Sequence, residues 1–322
     1  MELNLTEILS DKKTVAIGGH THPDGDCVGS VTGLTLYIKE NYPDIKVDTY
    51  LEEVPEALKM VGDNIKVIST ADEITEYDLF ICLDCGDESR LGFSVPVFRN
   101  AKNTLCIDHH KSNIAFADIN HIFPDASSTS ELVCHLVDED KISYEVAQAL
   151  YMGIAHDTGV FQYSCTSPET METAAMLMRK GINVSEIIDK TYFEKTFTQN
   201  KLLGRALDKS YIVLDGMCIV SVIEKSDFDE LNSDSKDTEG IVAQLRSTKG
   251  VETALFMYAA ADDKFKISLR SKGLTDVSLI AGKFGGGGHA RAAGATIEGN
   301  SKAVAQAVIK EIALQHGMED KL

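Results

Sequence analysis

Tryptophan is absent, proline occurs six times in 322 residues, and 31 lysines and arginines face 50 aspartates and glutamates, a formal net charge of −19. A chain this poor in basic residues lacks the Lys/Arg stripe with which proteins track nucleic acid by counterion release, so long duplexes are excluded as partners. Any polyanion it handles must be short, or be met by a local basic or metallic site. The scarcity of proline, with 43% hydrophobic residues, excludes general disorder. No window approaches the roughly 20 apolar residues of a membrane span. The start, MELNLTEILSDKK, has no basic stretch followed by an apolar one, so a cytoplasmic protein without a membrane partner is expected. Missing too are a Walker A run, a G-x-G-x-x-G following a strand, and a G-x-S-x-G elbow. Nucleoside triphosphate, dinucleotide and serine-hydrolase readings therefore lose support.

The seven cysteines are Cys27, Cys82, Cys85, Cys106, Cys134, Cys165 and Cys218, most of them inside apolar runs. An odd number in such settings reads as reduced, buried thiols. Cys82-x-x-Cys85 has no second pair at zinc spacing and is read as packing.

The length suggests two domains. In the first half, short apolar runs alternate with helix-period segments, the pattern of a doubly wound, mainly parallel α/β sheet. Residues 14–19 (TVAIGG) and 46–51 read as strands, 28–42 as a helix, 55–61 as a short helix, and 65–68 as a further apolar run. Residues 78–83 (DLFICL) and 104–107 (TLCI) have the continuous apolar character of buried strands. Helices are predicted within residues 128–207, with Ser167-Pro168-Glu169 as a start and Lys180-Gly181 as a stop. Beyond residue 210 the texture turns to a smaller α/β domain. Residues 211–223 read as a hairpin through Asp215-Gly216, residues 251–271 as a second with 261–264 as its turn, and 301–315 as a final amphipathic helix. Residues 227–239 read as a solvated acidic loop and helix start. A domain boundary is expected within residues 190–210, inside a helical linker.

Four places in the first domain put His or Asp just after an apolar strand or helix, where an open parallel sheet presents its ligand site. They are His20-Thr21-His22-Pro23-Asp24-Gly25-Asp26, Asp84, Asp108-His109-His110, and Asp157. Each alone is ordinary loop chemistry. Together, His20, Asp24, Asp26, Asp84, His109 and Asp157 are enough ligands for two adjacent divalent ions sharing a carboxylate. Two ions roughly 3.5 to 4 Å apart clamp the attacking and leaving oxygens of a phosphoryl displacement. Mixed imidazole and carboxylate donors point to Mn²⁺ ahead of Mg²⁺, with Co²⁺ a further substitute.

HTHPDGD, the LDCGD run, Asp108-His109-His110 and GIAHDTG resemble, in order, the four motifs of the DHH phosphoesterase family. The later GGGGHARAAG segment, residues 285–294, is similar to the signature of that family's accessory DHHA1 domain. The short two-domain form resembles the bifunctional oligoribonuclease/3′-phosphoadenosine-5′-phosphate phosphatases. The resemblance implies a DHH metal-binding catalytic domain over 1–190, a helical linker over 191–209 and a DHHA1 substrate-binding domain over 210–322. It implies that His20, Asp24 and Asp84 hold one metal and Asp26, Asp84, His109 and Asp157 the other. Asp84 then bridges, His110 faces the substrate phosphate, and Asp108 orients the histidines from behind. His22 and His156 depart from the pattern, where Asn and Thr would be expected, and read as neighbours without a role ahead of outer partners of the ligands.

Residues 284–294 (FGGGGHARAAG) also have a physical reading. Glycines let backbone amides approach an anion, and His289 and Arg291 stand beside them. The resemblance assigns Arg270, Gly287, Gly288 and His289 to substrate binding, and leaves Arg90, Arg291 and the Ser127-Ser128 pair open. The implied function is a two-metal phosphohydrolase acting between its domains on short single-stranded RNA, 3′-phosphoadenosine 5′-phosphate or the linear dinucleotide pApA. A pyrophosphatase or exopolyphosphatase is the alternative within enzymes, and a nucleotide-binding sensor the alternative outside them. A homodimer stays open.

Overall fold

The computed structural model describes residues 3–70, 74–261 and 263–321. The chain divides into two compact units, Met1–Glu194 and Lys195–Leu322. The first begins α1 (Leu5–Leu9), β1 (Thr14–Gly18), α2 (Gly25–Asn41), β2 (Lys46–Tyr50), α3 (Lys59–Gly62), β3 (Val67–Ile68), β4 (Leu79–Leu83) and α4 (Val95–Asn100). It continues β5 (Thr104–Asp108), β6 (Ile119–Ile122), α5 (Thr129–Leu136), α6 (Tyr144–Asp157), α7 (Pro168–Met178) and α8 (Val184–Ile188), ending in a π-turn over Asp189–Phe193.

Its sheet has the order β3-β2-β1-β4-β5-β6, and every ladder is parallel. Because the chain winds outward from β1 to β3 and then returns to β4, the winding reverses between β1 and β4. A crevice opens there at the carboxyl ends of the strands. All five residues of β4 and of β5 are buried, as continuous apolar runs in a covered parallel sheet must be. The helix expected from residue 28 starts earlier, at Gly25, because the Asp24 carboxylate accepts from the amides of Asp26 and Cys27 and caps it. α7 starts as predicted, with Ser167 and Thr170 forming a capping box and Pro168 in the first turn. β6 carried no sequence signal: it is a four-residue edge strand without a fully buried position. α2 and α6 approach so closely that a Cβ on Gly29 would lie 2.6 Å from the Ala149 carbonyl oxygen.

The second unit runs α9 (Phe197–Asp208), β7 (Tyr211–Val213), β8 (Cys218–Ile223), α10 (Lys225–Leu231), α11 (Ile241–Arg246), β9 (Thr253–Ala261) and β10 (Lys264–Ser271). It ends α12 (Val277–Lys283), β11 (Gly287–His289), β12 (Ala292–Glu298) and α13 (Ser301–His316). The sheet order is β11-β12-β10-β9-β8-β7, antiparallel except for β8 beside β9. The hairpin at Asp215-Gly216 forms as expected, with both residues at positive φ. β9 and β10 form the second one; Asp262 of its turn lies outside the described residues.

Leu269, Ala293 and Ala295 pack with Val277 and Ile280 of α12 and Val304 and Val308 of α13 on one face of this sheet. On the other, Ala254 and Phe256 pack with Leu202 and Ala206 of α9 and Leu245 of α11. The acidic segment read as solvated is partly core. Asp227 and Phe228 of α10 are buried, because Arg205 at 2.7 Å and Lys209 supply the countercharge that lets Asp227 leave water.

Six of the seven cysteines are buried and Cys165 is half-buried, all as free thiols. Among the described residues no helix is long and apolar enough to cross a membrane.

Candidate metal centre and phosphate-reading face

The carboxyl ends of β1, β4 and β5 and the last residue of α6 deliver His20, Asp84, His109 and Asp157 to the crevice, and the start of α2 adds Asp24 and Asp26. His20 Nε2 lies 3.6 Å from Asp24 Oδ1 and 3.5 Å from Asp84 Oδ2. His109 Nε2 lies 3.6 Å from Asp84 Oδ1 and 3.1 Å from Asp157 Oδ2. Asp84 thus turns one oxygen toward each histidine, the geometry a carboxylate shared by two ions requires. Donor atoms of Asp26, His109 and Asp157 all fall within 4.8 Å of one another.

Both imidazoles are aimed by their other nitrogen. His20 Nδ1 donates to the Thr21 carbonyl at 2.9 Å and His109 Nδ1 to the Ala126 carbonyl at 3.3 Å, which turns each Nε2 toward the carboxylates. His110 is held differently. Its Nδ1 donates to Asp108 Oδ1 at 2.7 Å, and Asp108 Oδ2 accepts from Asn113 at 2.6 Å. Asp108 therefore meets His110 alone of the two histidines it was expected to orient, and the bond leaves His110 Nε2 uncommitted to it.

Asp26 and Asp84 are buried, and among the described residues neither forms an ion pair with lysine or arginine. Burial, then the like charges of Asp84 and Asp157, push the Asp26 carboxyl well above its ordinary range. Burial works to lower His109, but the hydrogen bond to Asp157 and the Asp26 and Asp84 charges outweigh it and bring it up to about 10. His20 moves up likewise, its hydrogen bonds to Asp24 and Asp84 outweighing burial. Desolvation pushes Asp24 up, but the bond to His20 and the amides of Cys27 and Asp26 draw it down to about 2. Three crowded carboxylates stay ionised together only beside concentrated positive charge, and the donors offered are the imidazole nitrogens and carboxylate oxygens that divalent ions take. The residues fit the ions.

The amino end of α5 completes the site, and sequence reasoning missed it. The Thr129 and Ser130 amides donate to the two oxygens of Asp26 at 2.6 and 2.9 Å, and the Thr129 hydroxyl donates to Asp84 at 3.1 Å. Nothing but a cap signal marked this position. Ser127 and Ser128 are occupied structurally, Ser128 capping α5 and Ser127 bonding Glu131. Asp84 itself sits at φ 58, a left-handed conformation that costs about 1–3 kcal/mol in a non-glycine residue. Cys27 Sγ stands within 4.8 Å of donors of His20 and Asp84, as a thiol that burial pushes up to about 12.

His22 is exposed, and its amide donates to Glu52 at 2.7 Å. His156 Nε2 bonds Thr191 Oγ1 at 3.0 Å, and its ring lies where a Cβ on Gly25 would be, explaining the glycine inside the first motif. Arg90 places Nη2 3.5 Å from His20 Nδ1.

In the second unit, Arg270 pairs with Ala292 and Ala292 with His289. Directly opposed residues share a face, so Arg270 and His289 stand in one row about 10 Å apart, two strand spacings. Ser268, Gly294 and Gly287 form the adjacent row on that face, a floor of small residues. Gly288 belongs to the opposite face. At φ 142, a Cβ there would lie 2.4 Å from the Ala292 carbonyl oxygen, so it serves the tight hairpin. Residues 285–291 are exposed. Arg291 lies against Gly273, its Nη2 3.2 Å from where a Cβ would stand.

Residues 14–154 match the model of the DHH family N-terminal domain, and residues 215–315 that of the DHHA1 domain. The bifunctional oligoribonuclease and PAP phosphatase NrnA of Thermus thermophilus is 28% identical over 88% of this chain and 84% of its own length. The protein of the same name in Bacillus subtilis is 26% identical over 92% and 93%. The crystal structure of an exopolyphosphatase-related protein from Bacteroides fragilis superposes with a TM-score of 0.87 at 28% identity, covering 97% of this chain and 96% of that one. With both domain models matched in order, on the crevice and the hairpin just described, the chain carries a DHH family N-terminal domain followed by a DHHA1 domain.

Proposed function

We propose that the chain is a divalent-metal phosphoesterase that hydrolyses short oligoribonucleotides and dephosphorylates 3′-phosphoadenosine 5′-phosphate. The observation that carries this reading is Asp84, with one oxygen turned to His20 and the other to His109. The names of the T. thermophilus and B. subtilis relatives support the substrate class. We take the ligands to be His20, Asp24 and Asp84 for one ion and Asp26, Asp84, His109 and Asp157 for the other. The imidazole and carboxylate donors favour two Mn²⁺, with Mg²⁺ or Co²⁺ as substitutes. Bound there, the ions would supply Lewis-acid polarisation of the phosphoryl group.

The chain's own residues do the rest. Asp108 fixes the His110 ring so that Nε2 can donate to a phosphoryl or leaving oxygen. Thr129 and Ser130 hold Asp26 and Asp84 in place. Arg270 and His289, on one face over a floor of small residues, suit a terminal phosphate or nucleotide.

A Mn²⁺-supplemented panel of short RNAs, 3′-phosphoadenosine 5′-phosphate, pApA and pyrophosphate tests the reading. Turnover of the nucleotides is expected, and turnover of pyrophosphate alone would replace it with polyphosphate chemistry, for which the exopolyphosphatase-related protein of B. fragilis is the precedent. Asp84→Asn should cut kcat by more than about 100-fold, since even outer partners of metal ligands are worth about 10- to 100-fold. A folded variant with near-normal kcat would sink the shared-ligand assignment.

A further inference from the structure

After Asp157 the chain takes an unusual path. Gly159, Val160 and Phe161 follow one another at φ 58, 57 and 64. For the branched Val160 and the bulky Phe161 this is a strained conformation that persists only where surrounding bonds enforce it. Here they do. Val160 N donates to the Ala155 carbonyl at 2.7 Å, Phe161 N to the Thr158 hydroxyl at 3.0 Å, and Gln162 and Tyr163 amides to the Thr158 carbonyl at 2.9 and 2.8 Å. The effect is to fold Tyr163 back onto the helix end that carries Asp157. The phenol end of its ring lies over Gly159, where a Cβ would be 2.4 Å from Cζ.

Tyr163 is 42% exposed, and among the described residues its ring is in no aromatic pair and its hydroxyl has no hydrogen-bond partner. A partly exposed aromatic ring, set against Gly159 by a hydrogen-bonded and strained turn two residues beyond Asp157, offers what stacking a planar heterocycle requires: an accessible π-surface on a backbone already ordered.

Resting on the reading above, we propose that Tyr163 is a specificity-determining residue that stacks on the base of the nucleotide whose phosphate enters the metal centre. It thereby favours nucleotides over base-free phosphates. Stacking tolerates any base, which suits an enzyme that shortens RNA of mixed sequence.

The test compares wild type, Tyr163→Ala and Tyr163→Phe on a dinucleotide and on the same compound with its reacting residue made abasic. Tyr163→Ala should lower kcat/KM on the intact dinucleotide by ~5- to ~100-fold, chiefly through KM, and leave the abasic compound unchanged. Tyr163→Phe should retain activity, because it keeps the ring. Equal losses on both compounds, no loss on either, or a Phe variant as impaired as the Ala variant would each overturn the stacking role. Thermal unfolding of the variants checks that the strained turn survives. If wild type itself turned over neither nucleotide, the function proposed above would fail; a wild-type enzyme active on the dinucleotide beside an equally active Ala variant would remove this inference alone.

Discussion

Six side chains are gathered in the candidate centre, and their aim depends on groups outside the six. His20 and His109 each spend Nδ1 on a backbone carbonyl, and Asp26 is gripped by the amides that open α5. Thr129 does two jobs there, its amide serving Asp26 and its hydroxyl Asp84. Thr129→Val keeps the first and removes the second. It should raise the Mn²⁺ concentration for half-maximal activity by about 10- to 100-fold, and an unchanged titration would show that Asp84 needs no such support. The proposed ligands were legible because they cluster just after apolar strands or an apolar helix, at the end of the sheet where an open parallel fold presents its crevice. Thr129 was not, because a threonine after two serines reads as a helix start and nothing more. The role foreseen for Asp108 was half right for a similar reason: spacing places it beside both histidines, and only the chain's turn at residue 110 shows which ring it meets.

Elements hold the residues in register, and their ends are pinned as carefully as the site. At the far end of the sheet the Asp78 carboxylate accepts from the Lys13 and Thr14 amides at 2.9 and 3.0 Å and from Lys102 at 2.9 Å, tying the start of β1 to the start of β4. The Lys102 ammonium first, then those amides, hold its carboxyl well below the usual carboxylate range. With the folded value depressed, its contribution is complete above the unfolded carboxyl value near pH 4 and is lost as pH falls through the folded one. Asp78→Ala should cost about 1–3 kcal/mol at neutral pH. In denaturant titrations the gap from wild type should stay constant down to about pH 4 and narrow below it; a gap that widens in acid would refute the assignment. Strands β1, β4 and β5 were readable because burial on both faces leaves a solid apolar run. β6 and β12 were not. β6 is a short edge, and β12 is rich in alanine and glycine, so its extended state comes from pairing with β10 and not from its own preference.

For the whole molecule the charge of −19 limits the length of nucleic acid that the proposed enzyme would take. The buried carboxylates of the centre would be offset by about four units if two divalent ions bind, which turns an acidic crevice into an anion site while the exterior stays acidic. The kcat/KM should therefore fall as RNA is lengthened beyond a few nucleotides. Raising salt from about 50 to about 200 mM should leave affinity for the longer RNAs flat or improved, opposite to the steep weakening of a basic nucleic-acid binder. Weakening that grows with RNA length would reveal a phosphate-tracking surface that the composition does not suggest. The sequence by itself determined the parallel sheet and the ordered motifs at its strand ends, and so which His and Asp side chains to propose as ligands, because buried strands and charged residues at their ends leave patterns that survive in one dimension. Only the tertiary structure decided which oxygen of Asp84 meets which histidine, that α5 supports the carboxylates, that Arg270 and His289 share a face while Gly288 does not, and that Tyr163 is folded back beside Asp157. Those facts depend on strand register, helix approach and left-handed turns, which arise from contacts between residues far apart in the chain and leave no local period to read.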